Sequence, residues 1–180
     1  MSSGSKRLQA AYTLKRASWV GFWVQVVLGV VASLILLFAL LQRRARLQSG
    51  LGLFLGLLGI ATLALGIWLK YRSVELARRL ADAEWEERPR KNEVFNRLFM
   101  EMGVSLMGML ATLLGTFVVV GSLFAKALLV PQGTIALATQ PVDAMDILVV
   151  QGLLNTIAAH FGALLTSLWP LWRITRTEAS

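Results

Sequence analysis

The chain has 180 residues, 56% of them hydrophobic and only 16% charged, and its mean hydropathy is +0.64. A soluble domain carries about a quarter charged residues, so this composition excludes a soluble enzyme and a disordered chain alike. The formal net charge of +8 does not indicate nucleic acid, because the basic residues sit in the connections and at the ends.

Without cysteine there is no disulfide framework, thiolate metal site or cysteine nucleophile. The only histidine is His160, which excludes two-histidine metal motifs within one chain. The basic start (Lys6, Arg7, Lys15, Arg16) precedes an apolar run too long for a cleaved signal peptide, so the first span is expected to be retained. The short lead-in predicts no transit peptide.

Uncharged runs cover residues 17–42, 47–69, 102–125 and 147–172. Each exceeds the roughly 20 apolar residues that cross a bilayer. The expected fold is all-α: a single membrane domain, residues 1–180, forming a bundle of four transmembrane helices. The spans are expected at about residues 19–41, 50–69, 102–125 and 145–172. A re-entrant hairpin is the competing reading of the first two runs, and their lengths favour full spans.

Trp19 and Trp23 open the first span, Trp68 closes the second, and Trp169 and Trp172 close the fourth. Indoles prefer the headgroup level, so five tryptophans mark one membrane face. A basic turn (Arg43, Arg44, Arg46) joins the first two spans. Gly52, Gly56, Gly59 and Gly66 of the second span fall within about 60° on a helical wheel. Gly21, Gln25, Gly29 and Ala32 form a like strip in the first span, and Ser105, Gly108, Ala111, Thr112, Gly115 and Ser122 a broader one in the third. Such strips let helices approach closely in lipid.

Residues 70–101 separate the two hairpins and carry eight basic and seven acidic residues. Val74, Ala77, Leu80, Ala81 and Trp85 recur at helical spacing, Pro89 ends that helix, and Asn92 can cap the next. Glu93, Arg97 and Glu101 are spaced for ion pairs along one side, and Glu101 reads as a helix-start charge. Near-neutrality argues against a polybasic lipid clamp; a solvated extension of the neighbouring spans is expected. Met100, Met102, Met107 and Met109 could suit Cu(I), but packing in the core explains them better.

After the linker at residues 127–145, which holds Pro131, Gly133 and Pro141, the fourth span is the most polar. Asp143 and Asp146 form a cap pattern at its start. Gln151, Asn155, Gly162 and Thr166 share one face; Thr156, His160 and Ser167 share another, roughly 140° away. Asn155 and His160 therefore line different grooves, one within the chain and the other against a second copy or a water-filled path. Asn155 falls near the midplane. Structural readings compete with functional ones here: interhelical hydrogen bonds for Gln151 and Asn155, a neutral bonded imidazole for His160.

With four spans, Lys and Arg counts put fourteen basic residues on the side of the termini and of segment 70–101, against four on the other side. The bias predicts cytoplasmic termini and an external linker at 127–145.

The stretch Asp143–Leu168, with Asp146, Gln151, Asn155, Thr156, His160 and Phe161, resembles the signature of a plant and cyanobacterial four-span family. Its chloroplast members are described both as a permease and as the 21 kDa subunit of the inner-envelope translocon. Gly121–Leu128 and Glu87–Pro89 look like further family motifs, and the likeness runs over residues 15–175. It implies a polytopic protein, here of a cyanobacterial plasma membrane, that carries iron or serves protein import. No cofactor is expected beyond transported iron. On this reading the transport path runs past Gln151, Asn155 and His160, with Asp146 at the outer mouth and His160 as a weak metal contact. The helix-packing residues are Gly52, Gly56, Gly59, Gly108 and Gly115. The expected partners are the lipid bilayer and a homo-oligomer or larger membrane complex; the alternative is an accessory or scaffold subunit.

Overall fold

The computed structural model describes residues 3–42, 50–82, 91–128 and 142–178. They form four helices, α1 (Ser3–Gln42), α2 (Gly50–Asp82), α3 (Lys91–Leu128) and α4 (Ala144–Glu178). Each contains one window long and apolar enough to cross a membrane. The basic turn at 43–46, the segment with Trp85 and Glu87–Pro89, and the linker prolines and Gly133 lie outside the described residues.

The helices neighbour one another in the cyclic order α1–α2–α3–α4, with α4 closing on α1. Contacts across the square join α2 to α4, and none join α1 to α3 among the described residues. The bundle is thus a rhomb whose short diagonal runs from α2 to α4. Gly21 of α1 meets Thr166 of α4 and Lys70 of α2, while Gly56 of α2 meets Leu36 of α1 and Leu153 of α4. Successive helices therefore run antiparallel, and both chain ends emerge at one end, called here the termini end.

Glycine makes the close approach possible. A Cβ added at Gly52 would stand 2.7 Å from Val119 Cγ2 and 3.2 Å from the carbonyl of Gly115. One at Gly56 would stand 2.6 Å from Leu153 Cδ2, and one at Gly59 would overlap Thr112. At Gly115 it would lie 3.0 Å from the Gly52 carbonyl, so α2 and α3 touch backbone to backbone.

The helices overrun the expected spans, and the overrun is at the termini end. α3 begins at Lys91, ten residues before Glu101, so Glu101 does not start a helix; Asn92 lies inside the first turn instead of preceding it. Leu14, Ala77, Val94 and Leu98 form a second apolar core in this extension, covered by Leu76, Leu80 and Leu171. The extension of α2 and α3 is thus packed against α1 and α4 as well as solvated. The main core in the other half is Leu36, Ala39, Val119, Val149 and Leu153.

Two ion pairs bracket the bundle. Lys126 Nζ lies 3.4 Å from Asp146 Oδ2 at the loop end, and Lys70 Nζ lies 2.9 Å from Glu101 Oε2 at the other. From Asp146 to Ser167, which touches the second pair, is about 31 Å at about 1.5 Å per residue, close to the roughly 30 Å hydrocarbon thickness. Trp68 and Trp169 are exposed at the level of the inner pair, with Trp19, Trp23 and Trp172 within a few turns, at the same end. Arg72 stacks over Trp68 at 4.7 Å. The apolar outer surface between the two levels, including Leu57, Leu114, Phe117 and Leu154, is exposed as lipid contact requires. Met100 and Met107 point outward, so core packing does not account for them.

Candidate functional site

Polar side chains with almost no exposure line the interior from the termini end to mid-membrane. The outermost group is Lys70, Ser73, Glu101 and Ser167, each at most 1% exposed. Lys70 Nζ donates to Ser167 Oγ at 2.7 Å, and Ser167 Oγ donates to Glu101 Oε2 at 2.9 Å. Ser73 Oγ donates to Glu101 Oε1. Every oxygen of the carboxylate thus has a donor, which is what a buried charge needs to persist. Beside it, Arg97 donates to the Leu69 carbonyl at 3.4 Å, so it caps the layer from outside and does not pair with Glu101 along the helix surface.

Deeper in, Gln25 of α1 is fully buried against Gly66 of α2, where an added Cβ would stand 2.7 Å from its Nε2. Neither amide atom of Gln25 has a hydrogen-bond partner among the described residues, and the same holds for Ser18 Oγ. Deeper still lies His160, fully buried at the junction of α2, α3 and α4. Its Nε2 lies 3.1 Å from the Gly59 carbonyl and 3.5 Å from Thr62 Oγ1. A carbonyl only accepts, so Nε2 carries the proton and a neutral imidazole keeps its lone pair on Nδ1. That Nδ1 is buried without a partner. Gly108 leaves room for the ring, since a Cβ there would overlap it.

Below His160, Thr112 and Thr156 are fully buried around Gly59. Both hydroxyls donate to carbonyls of their own helices, at 2.7 and 2.9 Å. From Lys70 to Gly59 is about 16 Å along α2, half the hydrocarbon thickness. Beyond the threonines the interior is apolar: Leu36, Val119, Val149 and Leu153 fill it. The column of buried polar groups therefore runs from the termini end to the midplane and stops there.

The structure separates the residues that the sequence suggested. Of the two faces of α4, the one with Thr156, His160 and Ser167 is wholly buried. Gln151 is exposed and Asn155 half-buried on the outer face of α4. Gln151 Nε2 donates to Asn155 Oδ1 at 3.2 Å, a bond within one helix instead of between helices. Asp146 caps α4: its backbone N–H donates to the Asp143 carbonyl at 2.9 Å, and its carboxylate accepts from the Asp143 N–H at 3.3 Å. The same carboxylate faces Lys126. No cluster of three or more His, Cys, Asp or Glu placed to hold a metal ion exists among the described residues.

Lys70, Ser73, Glu101 and Gln25 were not identified as site residues from sequence. The signal for Lys70 and Glu101 was available: a lysine and a glutamate at the inner ends of adjacent antiparallel spans fall at the same depth.

Residues 5–175 match a family described as "Protein of unknown function (DUF3611)". The chain is 31% identical over 179 residues to Protein TIC 21, chloroplastic, of Arabidopsis thaliana, over 95% of this chain and 60% of that protein. It thus spans about three-fifths of the relative's length. No solved structure matches it. With the match running through all four helices, the chain is an integral membrane protein belonging to the DUF3611 family, whose kin include the chloroplast TIC 21 protein.

Proposed function

We propose that this protein passes a cation across its membrane through the interior of the bundle, by way of the polar column and not along the outer face of α4. The observation that carries this reading is the set of buried polar atoms without partners: both amide atoms of Gln25, Ser18 Oγ and His160 Nδ1. Each such atom costs about 1–3 kcal/mol when left unsatisfied, so the bundle maintains them at the expense of stability. Gln25 and His160 lie successively deeper than the Lys70–Glu101 pair, at the levels of Gly66 and Gly59. A cation entering at the termini end meets Glu101, displaces the Lys70 ammonium from it, and continues past the carbonyl oxygen of Gln25 to the lone pair of His160. Oxygen and imidazole donors suit a partly hydrated divalent ion. Few ligands and no closed cage favour passage over storage, since a transported ion must leave again. Leu36, Val119, Val149 and Leu153 form the barrier on the far side. Passage requires those helices to part, and the glycine contacts of α2 are where they slide.

Iron is the cargo that the resemblance of Asp143–Leu168 implies, and the lysine and arginine bias supports cation entry from the cytoplasmic side, in this reading of a cyanobacterial plasma membrane. The test is iron(II) uptake into proteoliposomes of the purified chain. His160→Gln and Gln25→Leu should each lower the rate at least about tenfold with the helical fold retained, whereas Asn155→Leu should leave it unchanged. Loss of uptake in Asn155→Leu alone would move the route to the outer face.

A second reading, an accessory subunit of a membrane complex, is favoured by one observation. Gln151 and Asn155 offer amide groups to hydrocarbon near the midplane, where polar groups serve as interhelical glue. If Asn155→Leu frees the protein from its native complexes and no chain variant transports iron, this reading stands and the cation route falls.

A further inference from the structure

Outside the polar column, one cleft joins two kinds of surface that a membrane protein normally keeps apart. It follows the seam between α1 and α4 at the termini end, with a volume of about 290 Å³. Its floor is Ala17 and Thr166, its walls are Val20 and Trp169, and its outer end carries Tyr12, Arg16 and Arg173. No acidic side chain lines it among the described residues.

Depth follows from the contact of Gly21 with Thr166. Arg16 lies five residues beyond that level on α1 and Arg173 seven residues beyond it on α4, so about 7 and 10 Å further out at 1.5 Å per residue. That level is the edge of the hydrocarbon, where the inner ion pair and Trp68 sit. The two guanidinium groups therefore stand in the headgroup layer on either side of the seam, while Val20 and Thr166 stand at the top of the acyl chains. A ligand filling the cleft needs an anionic head and an apolar tail, spaced by less than 10 Å. A free anion would use the arginines and leave Val20 and the Trp169 face in contact with nothing of its own.

We propose that this cleft holds one anionic phospholipid, its phosphate between Arg16 and Arg173 and its chains descending past Val20 and Trp169. Arginine suits the task because its fork can donate two parallel hydrogen bonds to a phosphate. Trp169 lies between the arginines and the acyl level, where its indole N–H suits the glycerol and ester groups, while Tyr12 lies one turn beyond Arg16, at the level of the head group. The site sits on the α1–α4 seam, so an occupied cleft ties the first helix to the last.

The test is native mass spectrometry of the full chain in detergent, titrated with phosphatidylglycerol or phosphatidylcholine. One phosphatidylglycerol should bind at least about tenfold more tightly than phosphatidylcholine, the value of one charge-assisted hydrogen bond. Arg16→Gln should remove about that factor, and Arg78→Gln, an arginine exposed on α2 away from the cleft, should not. Equal binding of the two lipids by the unaltered chain would overturn the proposal whether or not the variants fold. So would unchanged affinity in a folded Arg16→Gln. Displacement of phosphatidylglycerol by millimolar inorganic phosphate would make the cleft an anion site and equally overturn the lipid assignment.

Discussion

Replacing Glu101 by Leu is the most informative single change. The carboxylate accepts from Lys70 at 2.9 Å, from Ser167 at 2.9 Å and from Ser73, and the Lys70 and Glu101 side chains are 1% and 2% exposed. Without it, the Lys70 ammonium stays buried with Ser167 Oγ, at 2.7 Å, as its remaining neighbour. Breaking a buried pair by removing one partner costs about 3–5 kcal/mol, whereas exchanging both for apolar groups is often neutral or stabilising. Glu101→Leu should therefore lower the unfolding free energy by about 3–5 kcal/mol. Lys70→Met combined with Glu101→Leu should recover most of that loss. In either variant the Ser167 hydroxyl can turn its proton from Glu101 to the Ala163 carbonyl, 3.0 Å away, so it is not orphaned. The assay is equilibrium unfolding in mixed dodecylmaltoside and dodecylsulfate micelles, followed by tryptophan fluorescence. A single variant within about 1 kcal/mol of the parent, far below the range for a buried pair, would refute the reasoning. A double variant that costs as much as the two single ones together would refute it too, because the charges would not then be compensating each other.

Three further outcomes follow from the geometry. Gly56→Leu should destabilise by more than about 3 kcal/mol, the upper end for overpacking, because a Cβ there already stands 2.6 Å from Leu153 Cδ2; Gly103→Ala, with nothing within 4 Å of its Cβ, should cost nothing in the same unfolding assay. Since the chain has no cysteine, single introduced ones report sidedness: one at Arg78 should react with impermeant maleimide from the cytoplasmic side, and one at Leu128 from outside. Ser73 is unsuitable for this, being buried against Glu101; the reverse labelling pattern would invert the orientation. Asp146→Ala should cost about 1 kcal/mol by removing the acceptor of the Asp143 N–H and the partner of Lys126, measured as a lower thermal midpoint, and an unchanged midpoint would deny the cap its role.

The four helices were legible in the sequence because a bilayer imposes a simple rule. Backbone polar groups in hydrocarbon must bond within the segment, so a long uncharged run is a helix whatever its neighbours do. The Asp143–Asp146 cap, the tryptophan level and the small-residue strips are likewise local patterns, set by spacing along one helix. The buried face of α4 was legible as one of two candidate stripes, but helical periodicity alone cannot say which stripe faces inward. That choice belongs to packing: the short α2–α4 diagonal admits His160 beside Gly59 and Gly108, and it turns Gln151 and Asn155 outward. Lys70 and Glu101 were misread for the same reason. Counted along the chain they belong to a polar connecting segment, and only when α2 and α3 lie antiparallel does each find its countercharge 31 residues away, in a place water does not reach. Periodicity placed side chains around each axis; the depth and rotation of each helix against the other three decided which polar groups share the interior.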